Sequence, residues 1–214
     1  MSIGTIYKSR RQTKQYDKLR TPTNHDIQWL LQATAKIVPS KQNLIPYEIH
    51  VLGPKNKEYK KIFWELTQNK YQHQQDLFAP YLLIFTSRLA KDNEFTKGKP
   101  FGNFDATDEN SYMKRSQQVE SSIEVGMYAM IFTGLAIEKG LGISYFRCFP
   151  SWDDENKYMW NDLPFIKSPV LFSIQIGYAS DFNPYNSGEI RPEPSEIINW
   201  IEVPSADSSG EQTP

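Results

Sequence analysis

Apolar and polar positions along the chain change period several times, and one long apolar stretch dominates the pattern. Val125 to Ile137 is apolar on every side of a helix, with the small residues Gly126, Ala129, Gly134 and Ala136 interspersed. A helix that is hydrophobic all round is expected to be buried all round. Glu124 and Glu138 bracket it, and it falls short of the ~20 apolar residues a membrane span needs. The stretch therefore predicts the central helix of a soluble core. Its small residues admit another helix at close range, from this chain or from a second subunit. Lys139-Gly140 supplies the basic last turn and C-terminal glycine that close such a helix.

The other elements follow from shorter patterns. Thr23-Asn24 caps a helix whose apolar positions Ile27, Leu30, Leu31, Ala33 and Ile37 keep helical spacing, and Pro39 stops it. Tyr47 to Leu52 alternates as a strand, ended by Gly53-Pro54. Lys57 to Gln75 predicts a second helix with Tyr59, Ile62, Phe63 and Leu66 on its apolar side. Tyr81 to Thr86 is continuously apolar, the pattern of a strand buried on both faces. Ile143 to Phe146 predicts another strand, Trp152 to Trp160 a short acidic and aromatic helix, and Val170 to Tyr178 the clearest strand. Glu196 to Val203 fits a last helical turn or an edge strand. Helices between single strands make the class mixed α and β, and periodicity alone leaves the topology open.

The connection from Arg88 to Gln118 is polar, and from Ser111 it already belongs to the central helix. A connection of that length is commonly a lid or binding loop. Phe101, Phe104 and Tyr112 either stack over a substrate there or pin the loop to the core.

Composition narrows the class. The 214 residues suffice for one substantial domain, expected over 1–203, with a polar tail at 204–214 expected to be disordered. The net charge of -1 gives no global attraction to nucleic acid or an anionic membrane, so neither is an expected partner. Cys148 is the single cysteine, which excludes an intramolecular disulfide and suits a reducing compartment. The N-terminal stretch has no apolar segment of the secretory kind, so a cytoplasmic location is expected. His25, His50 and His73 lack ligand spacing, and neither a metal site nor a catalytic triad is assigned.

The basic cluster Lys8 to Lys14 is by itself an ordinary solvated face, until three further stretches are read beside it. Arg10-Arg11-Gln12-Thr13-Lys14-Gln15-Tyr16 resembles the N-terminal Arg-Arg-Ser-x-Arg/Lys-x-Phe/Tyr of the nitroreductase family. Pro39-Ser40-Lys41-Gln42-Asn43-Leu44-Ile45-Pro46-Tyr47 is similar to its Pro-Ser-x-x-Asn-x-Gln-Pro-Trp. The apolar helix ending in Lys139-Gly140-Leu141-Gly142 resembles its helix ending in Gly-Leu-Gly. Ile176-Gly177-Tyr178 with Arg191-Pro192 resembles its last core strand and downstream arginine. Order and spacing agree over roughly residues 6 to 203.

The resemblance implies an α+β fold, a nitroreductase-like α/β/α sandwich with a mainly antiparallel sheet, in an intertwined homodimer. It implies FMN as cofactor, NADH or NADPH as co-substrate, and a small organic electron acceptor such as a nitroaromatic or quinone. The residues it places at the cofactor are Arg10, Arg11, Gln12 and Lys14, with Arg191 at the phosphate and Gln72 at the ring or ribityl. Pro39, Ser40 and Asn43 would lie against the flavin of the partner subunit, and the backbone of Arg147 or Cys148 would face flavin N5. The donor types suit the ligand: arginine grips phosphate with a two-pronged set, and a lysine cation stabilises charge gathering on a reduced ring. No side chain need act as acid or base. Cys148, read from its context, is a small hydrophobe.

Departures from the family pattern sit at Gln12 (serine there), Ile45 (glutamine), Tyr47 (tryptophan) and Gly188-Glu189, where a second base is frequent. They leave two other functions open: a flavin-binding or sequestering protein with little turnover, or a structural dimer that has lost FMN.

Overall fold

The computed structural model describes residues 2, 4–6, 10, 12–66, 79–88, 94, 112–153, 155–180 and 194–198. The expectations for Arg11, Gln72, Arg191, residues 67–75 and 199–203, most of the 89–111 connection and the 204–214 tail lie outside these residues.

Four described strands are Tyr47–Leu52 (β1), Tyr81–Ser87 (β2), Gly142–Phe146 (β3) and Val170–Gly177 (β4). They form one sheet in the order β1-β2-β4-β3, with every neighbouring pair antiparallel. β2 sits inside the sheet, which is why its sequence is apolar at consecutive positions. Tyr81, Leu83 and Phe85 enter one apolar cluster, and Leu82 and Ile84 enter a second on the other face. Each such fully buried side chain contributes about 1.5–3 kcal/mol.

Helices Asn24–Ile37 (α1) and Tyr112–Glu138 (α3) pack on the first face. Helix Lys57–Glu65 (α2) and the 3-10 turn Lys157–Trp160 pack on the second, led by Phe63 and Trp160. The start of α1 has a physical cause in a capping box. The Thr23 hydroxyl accepts from the Asp26 N–H at 3.1 Å, and the Asp26 carboxylate accepts from the Thr23 N–H at 3.2 Å. α3 ends as predicted at Gly140, whose φ of 73° lies in the left-handed region. Gly140 N–H donates to Ile137 O and Leu141 N–H to Ala136 O, the paired bonds of a glycine C-cap.

Two expectations are corrected. Only Lys157–Trp160 of the Trp152 to Trp160 stretch is helical. The Asp153 carboxylate instead accepts from Asn156 N–H at 2.9 Å and from the Ser151 hydroxyl, local bonds that compete with a helix. Nor is α3 buried all round. Val125, Tyr128, Phe132 and Ala136 face the core, but Ile123 is 59% exposed and Met130 46%, with Gly126 exposed between them. Apart from its two chain neighbours and the backbone of its own helix, nothing lies within 4 Å of the position a Cβ would take at Gly126. An apolar stripe at helical spacing is therefore open in the single chain.

Residues 12–17 run extended along the sheet. Thr13 N–H donates to Ile143 O, Asp17 N–H to Tyr178 O and Ser180 N–H to Gln15 O, each at 2.9 Å. The segment crosses the sheet where β3 begins and β4 ends, over the facing pair Gly142 and Gly177. A Cβ at Gly142 would fall 2.6 Å from Thr13 Oγ1, and one at Gly177 would fall 2.6 Å from Pro80 Cδ and 2.7 Å from the Tyr16 ring. These two glycines of the recognised motifs are thus explained by close approach. Gly177→Ala is expected to cost about 1–3 kcal/mol, because a proline and a buried ring must both move; a urea melt unchanged within error would contradict that packing.

Residues 185–214 form a separate compact unit, in which Pro194–Ile197 is a short helix.

Candidate functional site

The described candidates fall into two groups at the two edges of the sheet. The first surrounds β3. Gln12 lies alongside it and its side chain behaves as a piece of strand: Nε2 donates to Tyr145 O at 3.0 Å, and Tyr145 N–H donates to Oε1 at 3.3 Å. That pairing fixes where the half-buried Arg10 starts from. The Arg10 guanidinium lies 4.4 Å from the centre of the Tyr145 ring, a cation–π arrangement. The ring is itself held, its hydroxyl bonded to Thr133 of α3 and the ring in tilted contact with Phe172, centres 5.1 Å apart. Lys14 is half-buried further along the same extended segment. Arg147, exposed, and Cys148, half-buried against the second cluster, follow directly after β3.

The second group is the loop before β1. Ser40 opens a 3-10 turn, Lys41–Asn43, and its hydroxyl accepts from Ile45 N–H at 2.9 Å. Asn43 and Ile45 have φ of 55° and 45°. Asparagine tolerates that region, whereas a β-branched isoleucine there is strained and persists only if its surroundings hold it. They do. Arg88 Nε donates to Ile45 O at 2.7 Å, and Arg88 N–H donates to Pro46 O at 3.0 Å. Ser121 Oγ donates to Pro46 O at 2.9 Å, and Lys41 N–H donates to the buried Glu124 carboxylate at 2.9 Å. Pro39 is exposed beside this clamp.

Arg88, Ser121 and Glu124 were not legible as site residues. All three act on backbone groups, which leave no mark in the sequence. A carboxylate inside a long apolar helix is nonetheless a signal, since charges are almost never buried without a partner.

β1 and β3 are opposite edges of the four-stranded sheet, so three strand spacings of ~4.8 Å, roughly 14 Å, separate the two groups within one chain. α3 bridges that width. It touches the loop at Ser121 and β3 at Thr133, twelve residues or about 18 Å further along its axis. One chain therefore keeps Arg10 and Gln12 at the β3 edge, and Ser40 and Asn43 at the β1 edge.

The donor set suits an anionic, flat-ringed ligand: a guanidinium fork held on an aromatic face, a second cation, and a backbone segment leaving a strand edge. Among the described residues no group of three His, Cys, Asp or Glu is placed to hold a metal ion. No described helix is long and apolar enough to cross a membrane.

No protein-family model matches the chain, and no curated protein does. Solved structures do. A nitroreductase-like protein of Bacillus cereus matches with a TM-score of 0.63 at 15% identity, over 95% of this chain and 97% of that one. A candidate NAD(P)H:FMN oxidoreductase of Staphylococcus epidermidis matches with a TM-score of 0.67 at 16% identity, over 94% and 96%. The chain has the nitroreductase-like fold. A further example of that fold, a candidate nitroreductase of Exiguobacterium sibiricum, was solved in complex with FMN; it matches with a TM-score of 0.66 at 15% identity, over 94% and 98%. The nitroreductase-like fold accounts for the antiparallel sheet with its helices.

Proposed function

We propose that the chain is an FMN-dependent oxidoreductase that works as an intertwined homodimer of α/β/α sandwiches. The carrying observation is the split of the candidate residues between opposite sheet edges, together with the open apolar stripe on α3 that runs between them. A second copy docked on that stripe would bring the Pro39, Ser40 and Asn43 loop of one chain to the Arg10 group of the other.

In this reading Arg10 and Arg11 bind the phosphate. Gln12 and Lys14 serve the ribityl and ring edge, and Gln72 the ring or ribityl. Bound FMN supplies hydride chemistry at N5, between NADH or NADPH and an organic acceptor such as a nitroaromatic or quinone. The chain's own part is to bind, orient and set charge. Tyr145 holds the Arg10 fork flat, the Lys14 cation favours added negative charge on the ring, and the backbone of Arg147 or Cys148 offers an N–H to N5. The clamp of Arg88 and Glu124 holds the loop from Ser40 to Pro46, with its strained Ile45, in place.

A titration of the purified chain with FMN, with oligomeric state measured in parallel, tests this directly. Saturable binding by a dimer is expected, followed by loss of the oxidised flavin's visible absorption on anaerobic mixing with NADH or NADPH. Binding without that loss would leave a flavin carrier. A protein that cannot take up FMN would sink both readings and leave a structural dimer.

A further inference from the structure

Lys60 belongs to neither group of the proposed site. It lies on α2 and is 8% exposed, unusual for a lysine. Its ammonium donates to Ala79 O at 3.0 Å and to Pro80 O at 2.9 Å, the two carbonyls just before β2. An amine with three positions thus has two committed to carbonyls. In the neutral amine both N–H bonds can stay on those carbonyls while the lone pair takes the third direction.

Lys60 also lines a cleft of about 620 Å³, a volume typical of small-molecule sites. The charged groups around it are Asp17 and Lys18 from the N-terminal segment and Lys57, Glu58 and Lys61 from α2. Asp17 is already bonded to Arg20 at 2.5 Å and Lys61 pairs with Glu65 at 4.0 Å, which leaves Lys18 and Lys57 against Glu58, an excess of positive charge for an incoming ligand. The cleft therefore suits an anion.

We infer that Lys60 is a reactive amine in an anion-accepting cleft, which takes a small aldehyde carrying a phosphate or carboxylate and bonds it as an imine. In that step the Lys60 nitrogen attacks the carbonyl carbon and forms the C–N bond. The carbonyl oxygen is protonated and leaves as water, and C=N replaces C=O with no change of oxidation state. The protonated imine keeps one N–H, enough for one of the two carbonyls.

Burial, and after it the neighbouring Lys57 ammonium, push the Lys60 amine down from 10.5 to about 8. A lysine with that value is neutral at pH 7 about 300 times more often than one at 10.5. The lower basicity gives back part of this advantage in nucleophilicity, leaving an expected gain on the order of tenfold over an exposed lysine.

Pyridoxal 5′-phosphate, an aldehyde with a phosphate, is a suitable probe for the full chain. The imine would be trapped with borohydride and the modified lysines mapped by peptide mass spectrometry. Lys60 is expected to be modified about tenfold faster than Lys57 or Lys61, with a rate that rises through pH 8 rather than above pH 10. Pyridoxal without the phosphate should lose most of that preference, as should the Lys57→Met, Lys61→Met double variant, in which Lys60 and its carbonyl bonds are untouched. Labelling spread evenly over the surface lysines, or an unmodified Lys60, would overturn the inference. So would equal rates with and without the phosphate.

Discussion

Phe132→Ala is expected to remove about 3–5 kcal/mol of stability, the range for truncating a fully buried aromatic side chain. Phe132 has no exposed surface, and its ring stacks on Tyr128 with centres 6.1 Å apart, inside the cluster that joins α3 to the sheet. Domains of ordinary size are stable by about 5–15 kcal/mol, so the variant would lose about a fifth or more of the margin. Urea unfolding of the purified chain checks this, and a loss under about 1 kcal/mol would mean that α3 does not dock as described. Ile123→Lys on the open stripe of the same helix is the informative companion. It should change the stability of the single chain by no more than about 0.5 kcal/mol. Under the proposed function it should nevertheless convert dimer to monomer and weaken FMN binding. Two positions nine residues apart on one helix would then separate folding from assembly.

Arg10→Ala is expected to weaken FMN binding by one to two decades. A charge-assisted hydrogen bond contributes about 1.5–3 kcal/mol, and each 1.4 kcal/mol is tenfold in affinity. The stack on Tyr145 sharpens the prediction. Arg10→Lys keeps the charge but not the planar fork or its seat on the ring, so it should restore only part of the loss. Isothermal titration with FMN measures both variants. Equal affinity in wild type and Arg10→Ala would remove Arg10 from the phosphate and reopen the placement of the whole N-terminal group. The fold should survive, since a partly exposed cation–π contact contributes only about 0.5–1 kcal/mol.

Much of the fold was legible because local signals and burial agree. The alternation from Tyr47 to Leu52 marks β1 to the residue, and the unbroken apolar run of β2 reports a strand with neighbours on both sides. Thr23 and Gly140 mark their helix ends because a cap depends on residues only a few positions away. The Trp152 to Trp160 stretch misled for the same local reason: its aromatic and acidic spacing suits a helix, but Asp153 satisfies backbone and hydroxyl groups in a turn instead. The candidate site was legible only as residue types. Nothing in the sequence says that Gln12 to Lys14 is extended, because the hydrogen bonds of Gln12 and Thr13 go to Tyr145 and Ile143, about 130 residues away.

The chain's own pattern was enough for the class of fold, the bounds of its strands to within one residue and the presence of an apolar helix rich in small residues, since each depends on neighbours in sequence. It also carried the motifs through which the nitroreductase resemblance was seen. Tertiary structure alone decided which side of that helix stays open and that Gly142 and Gly177 make room for the N-terminal segment. It likewise set the Arg10 group and the Ser40–Asn43 loop on opposite sheet edges. Those are questions of distance between segments far apart in the chain, and hydrophobic periodicity records which face is buried but not what buries it.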